Sequence, residues 1–187
     1  MISTSDFKKN TKIEINGEPF VIIDVQHVKP GKGVAFVKTR IKSLVTGRVL
    51  DENYRSGDKV NTPNLETRTM EYLYKDDEHY VFMDTTTYEQ IRLDESAIES
   101  VLPYLKDNLQ VELLFHNNKA ISVEPPTFVE LFVTFTEPGF RGDTAQGATK
   151  PATLETGHVI SVPLYLENGE LVRVDTRTGE YVERVNK

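Results

Sequence analysis

Runs of alternating apolar and polar residues, separated by turn-forming residues, dominate the chain from its start. Residues 12–15, 19–28 and 34–41 are the first three such runs. A period of two is typical of β-strands with one buried face, so each run predicts a strand. The pair Asn16-Gly17 separates the first two runs. Because both residues tolerate positive φ, the pair predicts a tight hairpin at this position.

The same alternation continues to the end of the chain and predicts further strands. They cover residues 48–55, 67–74, 79–84, 90–93, 110–115, 120–123, 129–135, 157–166, 170–175 and 180–185. One short helix is predicted to begin near Ser96, since Ser96 and Glu99 have the spacing of a capping box and Pro103 limits its length. Many short strands with little helix are typical of small β-barrels.

Three segments of similar length divide this pattern. Pro125-Pro126 stiffens the chain and cannot donate backbone hydrogen bonds, so it predicts a boundary, and a second boundary is expected near Asn64. We therefore predict domains at residues 1–63, 64–126 and 127–187. Each segment is close to the lower size limit for a domain that folds alone.

Composition narrows the class of protein. Hydrophobic residues make up 38% of the 187-residue chain and charged residues 27%, a balance typical of globular proteins. No apolar run is near the roughly 18 residues that a bilayer span needs, and the first residues lack the pattern of a secretory signal. The chain contains no cysteine. Disulfides, thiolate metal ligands and a cysteine nucleophile are therefore excluded, and a reducing, cytoplasmic location is expected.

Charge is distributed unevenly along the chain, whose net charge is −7. Residues 1–63 carry a net charge of +4, residues 64–125 carry −8 and residues 126–187 carry −3. A basic N-terminal third on an acidic body suggests that one end of the molecule faces phosphate groups. A chance difference between small segments explains the same numbers, and charge alone does not separate the two interpretations.

Sequence patterns typical of catalysis are absent. The four histidines, His27, His79, His116 and His158, are scattered without metal-ligand spacing. Neither a GxSxG motif nor a phosphate-binding Walker loop occurs. The acidic residues are spread along turns and strand faces, where solvation explains them, and no carboxylate pair stands out. We therefore predict that the chain is not an enzyme and holds no metal or cofactor.

Residues 27–33, with the sequence His-Val-Lys-Pro-Gly-Lys-Gly, connect two predicted strands and so form the tip of a hairpin. Pro30 presets φ and Gly31 tolerates positive φ, as the central positions of a type II turn require. Gly33 allows a tight transition from the loop into the second strand. The loop presents Lys32 on a narrow peg, and lysine is a frequent target of modification. An ordinary hairpin with a solvated lysine is the alternative interpretation.

Basic residues cluster within this loop and on the strand after it, at Lys29, Lys32, Lys38, Arg40 and Lys42. On a strand, Lys38, Arg40 and Lys42 share one face, opposite residues 37, 39 and 41. A track of this kind suits a phosphate backbone. The solvent face of any barrel strand has the same appearance, so both interpretations stay open.

A second unusual loop covers residues 137–151 and is long, polar and rich in glycine. Long loops on small barrels are often functional, and loops of OB barrels bind oligonucleotides. Asp143 and Thr144 offer groups that accept hydrogen bonds from base edges and donate to them. A flexible connection between strands is the alternative interpretation.

A series of short motifs completes the pattern. In chain order they are Pro30-Gly31-Lys32-Gly33 with Ala35-Phe36, Phe82-Met83-Asp84-Thr85, Tyr88-Glu89-Gln90, Gly142-Asp143-Thr144-Ala145, Lys150-Pro151-Ala152-Thr153, Glu155-Thr156-Gly157, Val162-Pro163-Leu164, Gly169-Glu170 and Asp175-Thr176-Arg177-Thr178-Gly179-Glu180-Tyr181. One such motif is weak evidence, whereas the ordered set is specific. Over essentially its whole length the chain resembles the elongation factor P family of bacterial translation factors.

This resemblance implies an all-β fold with an SH3-like (KOW-type) N-terminal barrel and two OB-fold barrels, in an L-shaped arrangement similar to tRNA. It implies a cytoplasmic, monomeric factor that binds both ribosomal subunits and their rRNA, between the peptidyl and exit sites. Such a factor stimulates peptide-bond formation and relieves stalling at consecutive prolines. No membrane, metal or cofactor takes part.

The resemblance also implies roles for individual residues. Lys32 matches the tip residue that an enzyme modifies and that approaches the CCA end of the peptidyl-tRNA. A lysine here excludes the arginine-rhamnosylated branch and leaves open a β-lysine or a 5-aminopentanol group. The remaining implied residues are the supporting loop positions Pro30, Gly31 and Gly33, the tRNA-backbone candidates Lys29, Lys38, Arg40 and Lys42, and the loop that approaches the exit-site codon of the mRNA, Gly142, Asp143 and Thr144.

Two other classes of protein remain open. A general single-strand binder would carry stacking aromatics on a basic groove, whereas the OB-like segments here are acidic and tryptophan is absent. A small-molecule enzyme would need a nucleophile paired with a base, and the sequence shows no such pair. Within the resemblance, the Pro-Gly-Lys-Gly tip favours the main family over its elongation-factor-P-like paralogues.

Overall fold

The computed structural model describes residues 1–139 and 147–186, and its regular secondary structure is dominated by strands. The N-terminal strands are β1 (Ile2–Ser3), β2 (Lys12–Ile15), β3 (Glu18–Val28), β4 (Phe36–Ser43), β5 (Val49–Arg55) and β6 (Lys59–Val60). Strands β2 to β5 form one antiparallel sheet in chain order, and β1 pairs with β6. The all-β prediction is therefore confirmed.

Buried and exposed residues alternate along β4 and show which face of the sheet packs into the core. Val37, Thr39 and Ile41 are buried, while the residues between them face solvent. Val37 and Ile41 belong to one buried cluster with Phe7, Ile13, Phe20 and Ile22. Burial of each large apolar side chain stabilises the fold by about 1.5–3 kcal/mol, so this small cluster holds the N-terminal strands together.

The middle part of the chain forms a five-stranded sheet. Its strands are β7 (Leu65–Lys75), β8 (His79–Asp84), β9 (Gln90–Asp94), β10 (Gln110–His116) and β11 (Lys119–Glu124), in the spatial order β11-β10-β7-β8-β9. The ring of Tyr72 lies 5.4 Å from that of Phe82 and 6.2 Å from that of Tyr80. Aromatic pairs at such distances add to the free energy gained from burial.

The C-terminal part forms another five-stranded sheet. Its strands are β12 (Phe128–Thr136), β13 (Thr149–Leu154), β14 (Val159–Pro163), β15 (Leu171–Asp175) and β16 (Glu180–Arg184), in the spatial order β14-β13-β12-β15-β16. Alternate residues of β12 are buried at Val129, Leu131 and Val133, as the sequence pattern predicts.

The chain folds as two compact units. One unit contains Met1–Thr67 and Leu114–Ser122, and the other contains Arg68–Leu113 and Val123–Lys187. The domain boundaries expected after residues 63 and 126 stay predictions.

The tight turn predicted at Asn16-Gly17 is present, and a similar turn lies at Asn117-Asn118. Asn16 and Gly17 have φ values of +52° and +79°, and Asn117 and Asn118 have +50° and +65°. Two successive residues with positive φ are the mark of a type I′ hairpin turn, whose twist matches the flanking strands. These asparagines and glycines therefore fix the register of β2 with β3 and of β10 with β11.

The helix predicted near Ser96 is wrong. The chain instead forms two 3₁₀ turns, Glu95–Ile98 and Leu102–Tyr104, and the first begins after Asp94 without a side-chain cap. Pro103 has no N–H, so it cannot donate the bond to Glu99 that an α-helix through this segment would need, and it lies inside the second turn. Ile98 is nevertheless buried, as its apolar spacing suggested.

The long loop predicted at residues 137–151 is too long at its C-terminal end. Strand β13 begins at Thr149 and pairs with β14, with Lys150 opposite Val162 and Pro151 opposite Ser161. The predicted loop ends at Pro151, and proline is uncommon inside a strand. Pro151 is exposed, and a residue with no N–H to donate is compatible with a strand where that position needs no ladder bond.

Two aspartates from the short sequence motifs, Asp84 and Asp175, organise turns. Asp84 is buried, and its Oδ1 accepts hydrogen bonds from the backbone N–H groups of Thr86 at 2.7 Å and Thr87 at 3.1 Å. These bonds lower the pKa of Asp84 below its usual value. Hydrogen bonds from Arg177 likewise lower the pKa of Asp175 in the turn after β15. Both carboxylates therefore shape the backbone locally.

Gly139 and Gly31 give a matched test of packing. A Cβ on Gly139 would lie 2.6 Å from the carbonyl oxygen of Leu164, whereas a Cβ on Gly31 would meet nothing within 4 Å. Neither glycine has a positive φ, so backbone strain does not differ between them. We expect Gly139→Ala to lower the free energy of unfolding by about 1–3 kcal/mol and Gly31→Ala to change it by less than about 0.5 kcal/mol.

Urea denaturation of both variants measures the difference. Equal stability of Gly139→Ala and the unaltered chain would contradict the close approach of Gly139 to Leu164.

Candidate functional site

The loop that carries Lys32 extends from the longest hairpin of the N-terminal sheet. Strands β3 and β4 pair from Phe20 opposite Ser43 to Val28 opposite Phe36, with one irregularity between Ile22 and Asp24. Residues 29–35 follow this last pair and connect the strands. The hairpin is thus ordered up to the base of the loop, and the loop begins at a fixed position.

Lys32 is accessible at the tip of this loop. Residues 29–34 are all exposed. Among the described residues, Lys32 has no hydrogen-bond or ion-pair partner, and neither has Lys29. Residue 34 is a valine with 61% of its surface exposed. The loop therefore presents an ammonium group that is free to bind an external anion or to accept a chemical modification.

The type II turn predicted at Pro30-Gly31 is wrong. Gly31 lacks the positive φ that the third position of such a turn needs, and Gly33 instead has a φ of +113°. The seven-residue connection explains the difference, because it has room to reverse direction after Lys32. Gly33 is consequently the loop position that depends on glycine, while Gly31 lies in open space.

The basic residues of β4 share the exposed face that the sequence predicts. Lys38, Arg40 and Lys42 are exposed, and they alternate with the buried residues Val37 and Ile41. Lys38 also lies with its Nζ 5.8 Å from the centre of the Phe36 ring. The three cations therefore form a row that leads away from the loop.

Acidic neighbours make the positive charge along this row uneven. Arg40 is opposite Asp24 on β3 and Asp51 on β5, and its Nε lies 3.8 Å from the Asp51 carboxylate. Lys38 is opposite Gln26 and Asn53, and Lys42 is opposite Val21 and Val49. Lys38 and Lys42 therefore carry less neutralised charge than Arg40, which the sequence alone did not indicate.

Contacts on both sides of the loop base support it, and sequence analysis did not identify them. His27 Nε2 lies 3.1 Å from the carbonyl oxygen of Phe7. On the other strand, the backbone N–H of Ser56 donates to the carbonyl oxygen of Ala35 at 3.0 Å. A sequence pattern gives no sign of either contact, because both join residues that are about 20 positions apart.

The second predicted site, Gly142, Asp143 and Thr144, lies outside the described residues. The strand that follows this loop begins with a buried lysine. Lys150 Nζ donates to the carbonyl oxygens of Glu137 at 2.7 Å and Leu166 at 2.6 Å. Lysine is almost never buried without partners, so these two bonds explain its position. Lys150 ties β13 to the segments after β12 and β14.

Replacement of Lys150 by methionine tests this role. Lys150→Met keeps the length of the side chain but leaves two carbonyl oxygens without their charged donor. We expect the free energy of unfolding to fall by about 1.5–3 kcal/mol. The exposed Lys119 provides the control, since Lys119→Met removes an equivalent charge from a solvated position and is expected to cost less than about 0.5 kcal/mol. Chemical denaturation of both variants decides the matter, and equal losses would contradict the buried role.

Metal and membrane features complete the description. Within residues 1–139 and 147–186, no group of three or more histidine or acidic side chains is arranged to hold a metal ion. No helix in the described part of the chain is long and apolar enough to cross a membrane.

Comparison with protein families gives a consistent result along the chain. A model described as Elongation factor P KOW-like domain matches residues 3–60, one described as Elongation factor P OB domain matches residues 65–123, and one described as Elongation factor P, C-terminal matches residues 129–184. The predicted fold class, an all-β chain with KOW-like and OB domains, is therefore confirmed.

Proteins named Elongation factor P are similar over their full length. The protein from Thermoanaerobacter sp. (strain X514) is 53% identical, over 99% of this chain and 100% of its own. Those from Wolinella succinogenes and Thermodesulfovibrio yellowstonii are 51% and 50% identical. The Wolinella match covers 98% of each chain, and the Thermodesulfovibrio match covers 100% of each.

Solved structures share the fold at lower identity. Eukaryotic translation initiation factor 5A from Methanococcus jannaschii is 22% identical with a TM-score of 0.55, over 66% of this chain and 91% of that chain. A family protein of the same kind from Naegleria fowleri is 15% identical with a TM-score of 0.54, over 66% of this chain and 96% of that chain. At this identity the likeness supports the fold alone.

KOW-like and OB domains define an all-β protein built from small β-barrels. The relatives that match over the full length are more specific evidence than the domain types. The chain belongs to the elongation factor P family, and it is a ribosome-associated translation elongation factor.

Proposed function

We propose that this factor binds the ribosome between the peptidyl and exit sites and stimulates peptide-bond formation at consecutive prolines. Lys32 acts at the CCA end of the peptidyl-tRNA. The observation that carries the proposal is the accessibility of Lys32, whose ammonium group has no partner among the described residues and follows an ordered hairpin. An unpaired cation on a narrow support suits a crowded, anionic RNA cavity.

Proline explains why such a factor is needed. The amine of proline is secondary and its φ is fixed, so it is a poor and badly oriented partner in peptide-bond formation. Peptidyl transfer depends on the positions of its reactants, and correct positioning contributes about 7–11 kcal/mol in favourable cases. A cation that binds the tRNA backbone restricts unproductive geometries. The factor therefore accelerates the reaction without supplying an acid, a base or a nucleophile, and it is not itself an enzyme.

Modification of Lys32 extends this role. A lysine-modifying enzyme needs a reachable side chain, and the exposure of residues 29–34 meets that requirement. A longer side chain that retains a cationic or polar end would reach further toward the CCA end. Pro30, Gly31 and Gly33 flank Lys32 without bulk, and Gly33 sets the reversal of the loop through its positive φ.

Further contacts orient the factor on its partners. Lys29, Lys38 and Lys42 bind the tRNA backbone, while Arg40 contributes less because Asp51 neutralises part of its charge. Gly142, Asp143 and Thr144 approach the exit-site codon of the mRNA from the C-terminal domain, which binds the small subunit. The factor works as a monomer in the cytoplasm, where translating ribosomes are found.

Lys32→Ala tests the proposed role directly. The loop is expected to keep its backbone, because the Lys32 side chain is exposed and makes no hydrogen bond or ion pair with the described residues. We expect the rate of peptide-bond formation between prolines, measured by quench-flow on purified ribosomes, to fall at least about tenfold, equivalent to about 1.4 kcal/mol of activation free energy. Lys59→Ala, which removes an exposed lysine from β6 in the N-terminal segment, is the control and is expected to retain the rate. Equal stimulation by Lys32→Ala and the unaltered factor would rule out this role.

The row on β4 predicts a change in salt dependence. Each lysine that binds a phosphate contributes about 0.7–0.9 to the slope of log K against log salt concentration. The double variant Lys38→Gln/Lys42→Gln is therefore expected to lower the slope for ribosome binding by about 1.4–1.8. The pair Lys8→Gln/Lys9→Gln removes the same charge from another exposed part of the N-terminal segment and serves as the control. Identical slopes for both double variants would exclude a specific phosphate track.

A further inference from the structure

The base of the Lys32 loop is held by residues from the N-terminal segment. The outer edge of β3 makes this support necessary, because β2 pairs with β3 only as far as Val21. From Asp24 to Val28, β3 has β4 on one side and no strand on the other among the described residues. A strand with one free edge twists and bends more easily than one paired on both sides.

His27 supplies a contact on this free edge. Its Nε2 lies 3.1 Å from the carbonyl oxygen of Phe7. A carbonyl oxygen only accepts hydrogen bonds, so Nε2 must carry the proton and donate it. His27 precedes Val28, the last paired residue of β3, and is five positions from Lys32. A fixed His27 therefore limits rotation of β3 at the point where the loop begins.

The carbonyl oxygen of Phe7 is held in place because the side chain of this residue is buried. Only 1% of its surface is exposed, and its ring meets that of Tyr54 edge-on at a centroid distance of 5.6 Å. Tyr54 on β5 is opposite Val37 on β4, and Val37 is opposite His27. The contacts thus form a closed ring through three strands and the N-terminal segment. Burial raises the pKa of Tyr54, consistent with this packing.

Thr4 holds the other side of the loop base. It is fully buried, and its hydroxyl donates to the carbonyl oxygen of Arg55 at 2.7 Å and accepts from the N–H of Gly57 at 3.1 Å. Ser56, between these two residues, donates its N–H to the carbonyl oxygen of Ala35. Ala35 is the last residue before β4. The N-terminal segment therefore contacts β3 directly at His27 and supports Ala35 indirectly, through residues 55–57.

We propose that these residues, Thr4, Phe7, His27, Tyr54 and Ser56, form a loop brace that fixes the direction in which Lys32 points. This inference rests on the proposed function of Lys32 and deepens it. His27 is a positioning residue that touches no substrate. Since a misplacement of about 1 Å can lower the rate of a positioned reaction by up to 100-fold, small rotations at the loop base matter for the reaction.

Spin-label distances test the loop brace without the ribosome. The chain has no cysteine, so Val34→Cys and Val49→Cys create one defined pair of labelling sites, and both positions are exposed. The eight residues of β4 separate them by about 25 Å at about 3.3 Å per residue, a suitable distance for double electron–electron resonance. This pair leaves Lys32 in place. The distribution is measured for the labelled chain and for three variants of it: His27→Ala, His27→Gln and His79→Ala.

We expect His27→Ala to broaden the distance distribution. His27→Gln retains an N–H donor and is expected to keep it narrow, and His79→Ala removes a partly buried histidine from β8, distant in sequence from the loop, and is expected to leave it unchanged. Because His27 is itself exposed, the melting temperature of His27→Ala is expected to stay within a few degrees of the original. An unchanged distribution in His27→Ala would overturn the proposal.

Rates on the ribosome complete the test with unlabelled protein. At saturating factor, His27→Ala is expected to slow proline–proline bond formation at least about threefold, and His27→Gln to restore it. Another outcome is that His27→Ala broadens the distance distribution without changing the rate, while Lys32→Ala lowers the rate as expected. That combination would overturn the link between the loop brace and Lys32. An unchanged rate in Lys32→Ala would instead refute the proposed function, and the distance distribution would still decide whether the loop brace fixes the loop.

Discussion

Antiparallel pairing of β3 with β4 is the constraint on which the candidate site depends. The ladder carries the chain from the buried core at Phe20 and Ile41 to the exposed loop after Val28. Because side chains alternate along β4, the same register that buries Val37 also exposes Lys38. A shift of one residue would exchange these faces and remove both the core and the basic row.

Much of the family signature encodes turns and buried polar groups. Asp84 and Asp175 bind backbone N–H groups, and Lys150 donates to two carbonyl oxygens. Each of these side chains is used inside the fold, whereas Lys32 has no partner among the described residues. The contrast distinguishes side chains that build the barrels from a side chain that remains available to a partner.

Strands and hairpin turns could be predicted from the sequence because they depend on local patterns. Alternation identified β4 and β12, and Asn16-Gly17 fixed a turn through its positive φ. The helix predicted at Ser96 is absent because the expected cap does not form and Pro103 cannot donate an α-helical bond, and β13 was not predicted because Pro151 was assigned to the loop. The contacts of His27 and Thr4 were beyond prediction, since they join residues distant in sequence. Lys32 was predicted at the loop tip and Gly33 as one of its supports, but the positive φ was assigned to Gly31, whereas Gly33 has it.

The proposed function requires a rigid hairpin that directs Lys32 to the reacting end of the peptidyl-tRNA. An electron cryo-microscopy structure of the factor on a ribosome paused between prolines would show where this side chain lies. We expect density for the Lys32 side chain within hydrogen-bond distance of the CCA backbone, with β4 facing the tRNA. Density that turns the loop into solvent, or that brings another surface of the factor to the peptidyl-tRNA, would instead refute the proposed role of Lys32.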